Sequence, residues 1–295
     1  MKISFVKLGH EECWLCESFD LHSKATSHKK ELPEDNCEEC SKFAAHQIKY
    51  ISARKQYQED SSLKTTDGPV VVSADLQKTT DGPVVVSADL QKVIMLRRLE
   101  MFKEVIFTPR IIAFNQNFVV TGKHSLRTAA IWHEAIAGRS KEDITSTFFA
   151  FLLSVGDTKH MILWLDNCAA QNKYWTLLTF FIYVVKSEEL ALESLTLKYF
   201  EPGHTFMAAD SFHHQVERSL KKMGKIYDFE DFTEAVKHTI INTKVISMDI
   251  HNFFNWENGT SQYKLNKITP RPYQKLLAWT YIIFLTGRMG HPNTN

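Results

Sequence analysis

Residues 84–91, "VVVSADLQ", combine a short run of β-branched residues with an aspartate near its end. A continuous apolar run of this length predicts a buried strand. The same letters also stand at 70–77, because the fourteen residues Lys64–Gln77 recur without a change as Lys78–Gln91. The fold therefore depends on which copy forms the strand and on the segments that come after it in the chain.

Downstream of residue 91, strand-like and helix-like segments alternate. The predicted strands are "RIIAFNQNFVVTGK" (110–123), "SLRTAAIWHEAI" (125–136), "MILWLDNC" (161–168) and "SLTLKYFEPGH" (194–204). The predicted helices are "SKEDITSTFFAFLLSV" (140–155), which starts at a Ser cap, "QNKYWTLLTFFIYVVKS" (171–187) and "ADSFHHQVERSLKKMG" (209–224), which ends at a glycine. The order is β-β-β-α-β-α-β-α, which predicts an α/β domain.

Composition narrows the function classes. The net charge of +1, from 35 basic and 34 acidic residues, lacks the overall footprint of a dedicated nucleic-acid binder, although a local basic patch stays open. The longest apolar run, Trp175–Val185, is too short to span a bilayer. The first residues, "MKISFVKLGHEEC", do not match a signal peptide. We therefore expect an intracellular protein with no membrane partner.

Four of the five cysteines form two CxxC pairs: Cys13 with Cys16, and Cys37 with Cys40. In a protein without a secretory signal, such pairs favour zinc over disulfides. Four thiolates would complete one tetrahedral, structural Zn²⁺ site. A histidine, His28 or His46, in place of one cysteine is the alternative.

Differences in residue composition and in hydrophobic pattern divide the chain into four sections. Residues 1–60 predict a zinc-binding module with a following helix, and residues 61–83 a linker that contains the first repeat copy. Residues 84–224 form the predicted α/β domain. Residues 225–295 predict a C-terminal helical extension of degenerate pattern, with one amphipathic helix near "DFTEAVKHTI" (231–240).

This order of elements, with acids at its particular positions, resembles the ribonuclease-H-like fold of DDE/DDD transposases and integrases. More narrowly, the chain resembles a transposon-derived family of invertebrate genomes in the upstream CxxC pairs and in four phrases, "ADLQ" (88–91), "WHEAIAGR" (132–139), "LDNCAAQNK" (165–173) and "GHTFMAADSFHHQVE" (203–217). The resemblance implies a mixed five-stranded sheet flanked by helices, DNA as the partner, and a nuclear location.

The resemblance also implies a two-metal carboxylate centre. The acids of the family come from the first strand, the fourth strand and the last helix, which here hold Asp89, Asp166 and Asp210. Mg²⁺ or Mn²⁺ ions about 3.5–4 Å apart would activate water or a 3′-hydroxyl for phosphodiester hydrolysis or strand transfer. An aspartate at the end of a buried strand is otherwise costly, because an unpaired buried charge is unfavourable.

The helix at 209–224 offers further candidates. A rotation of about 100° per residue places Asp210, His213 and Glu217 on one face. We take Asp210 as the catalytic ligand, with His213 and Glu217 as supporting residues or alternative ligands. The simpler interpretation makes Asp210 a helix N-cap, and Asp89 and Asp166 turn caps.

Gln171, Asn172 and Lys173 follow the strand that ends at Asp166. They are predicted to lie at the N-terminus of the next helix, where backbone N–H groups favour phosphate. We therefore predict contacts to the DNA backbone there, with simple helix capping as the alternative. His204 either approaches the same site or only closes a turn.

The repeat raises the choice between Asp75 and Asp89. In the fold that the resemblance implies, the first strand is flanked by the second and the fourth, so no open sheet edge lies beside it for a second copy. The upstream linker accepts fourteen extra residues at small cost, since loop-closure entropy grows only logarithmically with length. We predict that Asp89 lies in the catalytic strand and that Asp75 is a passenger.

Two main functions remain open at this point, and a third, weaker interpretation is a structural zinc-finger adaptor with an unrelated α/β domain. The first is a transposon-derived DNA nuclease or transposase with a zinc-binding N-terminal module, which the acids favour. The second is a catalytically inactive DNA- or protein-binding descendant that retains the fold, which the near-neutral charge favours. Formation of a homo-oligomer stays open in both cases.

Overall fold

The computed structural model describes residues 13–31, 34, 36–63, 82–99, 109–122, 126–241, 243–258 and 282–286. The helices are α1 Trp14–Thr26, α2 Glu38–Ser61, α3 Lys141–Val155, α4 Ala169–Asn172, α5 Trp175–Lys186, α6 Ala208–Met223 and α7 Phe229–Lys237, with a 3₁₀ turn at Ile250–Asn252. The strands are β1 Val84–Leu90, β2 Ile94–Met95, β3 Arg98–Leu99, β4 Ile112–Val120, β5 Arg127–His133, β6 His160–Leu165, β7 Ser194–Tyr199, β8 Lys225–Ile226, β9 Thr243–Ser247 and β10 Ile282–Thr286.

The strand β1 lies inside an eight-stranded mixed sheet of order β10-β7-β6-β1-β4-β5-β9, in which β2 also pairs with β4. On one side β1 is parallel to β6, which is parallel to β7. On the other side β1 is antiparallel to β4, which is antiparallel to β5. Helices cover both faces, so the predicted α/β class with a mixed, helix-flanked sheet is confirmed. The second copy of the repeat supplies this strand, whereas Asp75 lies outside the described residues.

The sheet is wider than the five strands that we predicted. β9 adds to it parallel to β5, and β10 adds antiparallel to β7. Both come from the section 225–295, so the described part of that section is mixed rather than the helical extension expected from its sequence. Its predicted amphipathic helix is present as α7. Short edge strands form because a sheet edge offers unpaired backbone donors and acceptors, which the letters of β9 and β10 do not reveal.

The continuous β-branched run of β1 is explained by burial on both faces. Val84, Val86 and Ala88 belong to the core formed with α3 and α5. Val85 belongs to the core formed with α6 and α7. A strand covered on both faces needs apolar residues at every position rather than at alternate ones. Ser87, buried on the second face, is an exception that has a specific partner in α6.

The helix ends follow local signals. Ser140 caps α3 with a capping box, in which its hydroxyl accepts from the backbone N–H of Asp143. Gly224 ends α6 at a φ of 73°, a left-handed value that favours glycine. Among the described residues, no helix combines the length and the apolar character needed to cross a membrane.

The N-terminal helices α1 and α2 pair as an antiparallel hairpin. Their own core is small: Phe19, Cys40 and Phe43 are its buried residues, and the rings of Phe19 and Phe43 stack with centroids 4.1 Å apart. So little apolar area stabilises a pair of helices only weakly. The hairpin therefore depends on further cross-links.

The second half of α2 belongs to the α/β domain rather than to a separate module. Tyr57 packs into the core formed by α6 and α7. Asp60 is buried, and its Oδ2 accepts hydrogen bonds from Lys198 Nζ at 2.7 Å and from Trp164 Nε1 at 2.8 Å. The predicted module boundary at residue 60 thus coincides with the end of α2. However, residues of α2 before this boundary, such as Tyr57, already pack against the α/β domain.

We expect Asp60→Asn to destabilise the protein by about 3–5 kcal/mol, because it leaves Lys198 as a buried charge without its counter-ion. Chemical denaturation measures this change. The double variant Asp60→Asn/Lys198→Met should recover much of the loss, since it removes the unpaired charge. The matched control, Glu234→Gln, breaks an exposed ion pair with Lys237 and should leave the midpoint unchanged. A similar loss in both variants would contradict a buried pair at Asp60.

Candidate metal centres

Two aspartates lie at the same edge of the sheet, on the face covered by α6. In the parallel pair β1 and β6, Ala88 is level with Leu165, so Asp89 and Asp166 follow at the carboxyl ends of neighbouring strands. Side chains alternate along a strand. Asp166 therefore shares its face with Trp164, which belongs to the α6 core. Both acids are thus on the side from which α6 approaches.

The third aspartate comes from the first turn of α6. The helix is anchored on β1, because the backbone N–H of Ala209 donates to Ser87 Oγ at 3.1 Å. Asp210 stands at the third helical position, and its Oδ2 accepts from the N–H of the N-cap residue, Met207, at 2.8 Å. The alternative of Asp210 as the N-cap itself is therefore wrong. The buried Ser87 explains how the helix start is held over the strand.

Asp89, Asp210 and His213 converge to form what we call the acidic cluster. Each offers one ligand atom, and these atoms lie within 4.8 Å of one another. Asp89 Oδ2 lies 3.4 Å from His213 Nδ1. Burial lowers the pKa of His213 to about 4, and the contact with Asp89 opposes this shift only in part. The imidazole is therefore neutral near pH 7 and has a nitrogen lone pair available for a cation.

Two buried polar groups of this region have unused hydrogen-bonding atoms. Within the described part of the chain, His213 Nε2 has no hydrogen-bond partner, and neither has the side-chain oxygen or nitrogen of Asn117. Asn117 is the direct cross-strand neighbour of Asp89 and is fully buried. Orphaned buried polar atoms are costly, so their presence indicates a place where a ligand or ordered water completes the structure.

Asp166 borders the acidic cluster without belonging to it. Its Oδ1 accepts hydrogen bonds from the side-chain amide of Asn172 and from the backbone N–H of Cys168. Burial raises the pKa of Asp166, and these hydrogen bonds oppose the shift. Burial also raises the pKa of Asp210, and the negative charge of Asp166 adds to that rise. The two carboxylates are therefore close enough to repel each other, as in sites that gather a cation.

Glu217, our alternative third acid, lies outside the acidic cluster. Its carboxylate forms an ion pair with Arg98, with Nη1 and Oε2 3.2 Å apart, and accepts from Gln91 Nε2 at 3.3 Å. The helical face was predicted correctly, but four residues rise about 6 Å along a helix. Glu217 therefore lies one turn past His213, where a cationic side chain already neutralises it.

The predicted position of Gln171, Asn172 and Lys173 at the N-terminus of the next helix is wrong. The first two end the short helix α4, and the next helix begins only at Trp175. Asn172 is buried and donates to Asp166. Lys173 Nζ lies 4.6 Å from the centroid of the Tyr199 ring, and burial lowers its pKa. Asn172 and Lys173 therefore lie against the ends of β6 and β7, and the contacts to a DNA backbone stay a prediction.

An open groove of about 610 Å³ leads to Asp210. Arg54 and Tyr57 of α2 line this groove together with Arg127 at the start of β5. Gln215 of α6 adds an amide to the lining. The groove therefore combines two cationic side chains with an aromatic ring beside a carboxylate.

Cys13, Cys16, His46 and His204 form the first cysteine–histidine cluster, with the four ligand atoms within 4.8 Å of one another. Sγ of Cys13 is 3.2 Å from Nε2 of His46, and Sγ of Cys16 is 3.3 Å from Nε2 of His204. The two histidine Nε2 atoms are 3.0 Å apart. His204 therefore lies in this cluster and not in the acidic one.

His22, His28, Cys37 and Cys40 form the second cysteine–histidine cluster, again within 4.8 Å. Nε2 of His22 is 3.1 Å from Nδ1 of His28 and 3.3 Å from Sγ of Cys37. Sγ of Cys40 is 3.3 Å from Nδ1 of His28. All four residues come from α1, α2 and the short connection between these helices.

A single site of four cysteines is therefore the wrong arrangement, because the two CxxC pairs lie in different clusters. Each pair is followed six residues later by a histidine, Cys16 by His22 and Cys40 by His46. Six helical residues rise about 9 Å. A histidine thus cannot share an ion with the cysteines of its own helix, and in the antiparallel hairpin it meets those of the other. This repeated spacing was the sequence signal that we missed.

Three contacts hold the first cluster in place from outside. Glu201 is buried, and its Oε1 lies 3.3 Å from Nδ1 of His46, which fixes the orientation of that ring. The ring of Tyr50 stacks on His204 with centroids 4.0 Å apart. Gly203 has a φ of 75°, and a Cβ there would lie 2.7 Å from Cβ of Cys13. The turn before His204 therefore touches the first CxxC pair directly.

Comparison with protein-family models matches residues 139–273 to a domain of unknown function, DUF7869. This segment carries Asp166, His204, Asp210 and His213, whereas Asp89 and both CxxC pairs precede it. No significant match to a curated protein or to a solved structure was found. The match covers less than half of the chain and its description states no activity.

Proposed function

We propose that this chain is a transposon-derived, metal-dependent DNA nuclease or transposase of the ribonuclease-H-like class. The observation that carries the proposal is the convergence of Asp89, Asp210 and His213 beside Asp166 at one edge of the sheet. Acids from two parallel strands and one helix meet there although they are far apart in sequence. A purely structural role would not explain so many desolvated carboxylates at one place.

The strand arrangement supports this class. The five consecutive strands β5, β4, β1, β6 and β7 contain one antiparallel member, β4, between parallel neighbours. In the ribonuclease-H-like arrangement the first strand is likewise central, with the second strand on one side and the fourth on the other. The acids lie at the carboxyl ends of β1 and β6, where open α/β sheets place their sites.

The donor set fits a hard divalent cation. Asp89 and Asp210 offer carboxylate oxygens, which Mg²⁺ and Mn²⁺ prefer, and the neutral His213 adds a nitrogen that suits Mn²⁺ better than Mg²⁺. Such a cation polarises a phosphate and lowers the pKa of water when it is bound. The chain itself orients the acids: Asn172 holds Asp166, and the N–H of Met207 holds Asp210.

For the two cysteine–histidine clusters we propose Zn²⁺, one ion in each. Two thiolates and two imidazoles are a donor set typical of structural zinc. In a tetrahedral zinc site, ligand atoms stand about 3.3–3.8 Å apart, given the usual Zn–S and Zn–N lengths. The separations of 3.0–3.7 Å within the clusters agree with that spacing. The expected single zinc ion per chain thus becomes two.

The groove beside Asp210 supports DNA as the partner. Arg54 and Arg127 supply local positive charge in a chain whose net charge is only +1. Phe206, an exposed aromatic side chain that lines the same groove, adds a surface of the kind on which bases stack. A DNA strand in this groove would place a phosphate beside Asp210 of the acidic cluster.

We expect Arg127→Gln to weaken DNA binding about equally for unrelated sequences and to lower the salt slope of the affinity by about one, as loss of one phosphate contact requires. Fluorescence anisotropy with two unrelated oligonucleotides over a range of salt measures both quantities. Lys237→Gln, a loss of charge on α7 away from the groove, is the matched control and should change neither. Equal weakening by both substitutions would point to net charge alone.

The function itself is tested by DNA cleavage with the purified chain in Mg²⁺ or Mn²⁺. Nicking that depends on the cation and on Asp89 supports the proposal. Tight DNA binding through the groove with no cleavage under either cation would favour the second function, an inactive descendant that kept the fold. If the chain neither cleaves nor binds DNA, the nuclease and a DNA-binding descendant are both excluded, and a protein-binding descendant is left.

A further inference from the structure

We propose that the first cysteine–histidine cluster is a zinc clamp that ties the N-terminal hairpin to the loop 200–207 and so positions Asp210. Three of its ligands come from the hairpin, whereas His204 comes from the connection between β7 and α6. The inference rests on zinc binding by this cluster and does not require that the chain cleaves DNA.

The two clusters differ in what they connect. The second cluster takes its four ligands from residues 22–40 and therefore closes only the hairpin. The first joins Cys13 to His204, which are separated by most of the α/β domain. A cross-link between such distant residues restricts far more of the chain than a local one. Of these two clusters, only the first can transmit an effect from the hairpin to the sheet edge.

The loop from Phe200 to Met207 leads straight into the helix that carries Asp210. Besides His204, it is held by α2 at two points: Arg54 donates to the carbonyl of Phe206, and the hydroxyl of Tyr57 accepts from the N–H of Ala208 at 2.9 Å. Both contacts act at the junction between the loop and the first turn of α6. α2 thus acts as a support for the start of that helix.

Glu201 adds an acidic side chain to the loop beside the clamp. Its Oε1 faces Nδ1 of His46, while its Oε2 has no hydrogen-bond partner among the described residues. Lys173 lies within electrostatic reach of both Glu201 and Asp166. The polar groups of the clamp and those around Asp166 are therefore neighbours. A displacement of the loop should change the surroundings of both.

Without a bound cation, the four ligand groups of the first cluster cannot all be satisfied at these short distances. Two imidazole nitrogens 3.0 Å apart and two nearby thiols satisfy one another only in part, since each neutral ring has one donor and one acceptor. Because Gly203 lies directly against Cys13, the groups have little room to separate. A shared cation resolves this crowding and fixes the loop at the same time.

The test compares two variants that each remove one ligand, His204→Ala from the first cluster and His28→Ala from the second. Both should lower the zinc content from two ions to one per chain, measured by elemental analysis of the purified full chain. Only His204→Ala should speed amide hydrogen exchange in residues 200–210, by about tenfold or more. His28→Ala should speed exchange within the hairpin and leave 200–210 protected.

A rescue variant keeps the inference testable if His204→Ala does not fold. His204→Cys replaces the imidazole by a thiolate, which also binds zinc, and should restore both the second ion and the protection of 200–210. Retention of two zinc ions in His204→Ala, or equal exposure of 200–210 in both alanine variants, would overturn the clamp. None of these readouts involves DNA, so a failure of the nuclease proposal would leave them unaffected.

Discussion

We expect Asp89→Asn to abolish the proposed divalent-cation-dependent DNA cleavage, with a fall in rate of the order of 10⁴-fold, as for other residues that act as a unit in a reaction centre. The substitution removes the charge that a hard cation needs but keeps the side-chain oxygen that accepts from the N–H of Leu90 at 2.9 Å. The strand should therefore fold normally. Plasmid nicking in Mn²⁺ and in Mg²⁺ measures the loss, with thermal unfolding as the check on folding.

The repeat offers an unusually close control for this experiment. Asp75→Asn makes the same chemical change within the same fourteen residues of sequence, but in the copy that does not form β1. It should cleave at the wild-type rate. Glu217→Gln should also retain activity, because that carboxylate pairs with Arg98 outside the acidic cluster. Equal nicking by wild type and Asp89→Asn would identify a contaminating nuclease and reject the site.

We expect the removal of zinc to unfold the N-terminal hairpin while the sheet stays folded. The apolar core of the hairpin consists, in the described part of the chain, of Phe19, Cys40 and Phe43, with partly buried Cys16 and Cys37 against it. Structural zinc contributes about 10–16 kcal/mol of apparent binding free energy in small zinc peptides, far more than three buried side chains supply. We therefore expect α1 and the first half of α2 to lose protection from hydrogen exchange when a chelator is added.

The second half of α2 serves as the internal reference in the same experiment. Tyr57 and Asp60 are held by the α/β domain, so protection near them should persist after chelation. Addition of Zn²⁺ should restore the hairpin, whereas Mg²⁺ should not, because thiolate and imidazole ligands select the softer ion. A fully protected hairpin at zero zinc content would contradict the assignment of both clusters.

The secondary structure of the α/β domain was predictable because its signals are local. Ser140 before a helical pattern and Gly224 after one mark helix ends through hydrogen bonds and dihedral angles that involve only a few neighbouring residues. The continuous run of β1 likewise indicates burial on both faces. Edge strands were missed because β9 and β10 depend on which existing edge they pair with, and that is a property of the assembled sheet.

The candidate acidic site was predictable only in outline. Asp89, Asp166 and Asp210 were named because the resemblance to the ribonuclease-H-like fold implies acids at these positions, and the structure gathers two of them with His213. Helical spacing placed Glu217 on the correct face but could not show that Arg98, from another part of the chain, neutralises it. The sequence likewise could not show that the side chain of Asn172 is buried and donates to Asp166.

The sequence alone determined the order of strands and helices, the burial of the "VVVSADLQ" strand, and the presence of thiol ligands, because each depends on residues that are neighbours along the chain. The repeated spacing, with a histidine six residues after each CxxC pair, also indicates a second metal cluster. Only the tertiary structure decided that His46 serves the cysteines of the other helix and that His204 completes their site. A metal centre is set by distances in space, and antiparallel packing and the return of β7 bring those four ligands together.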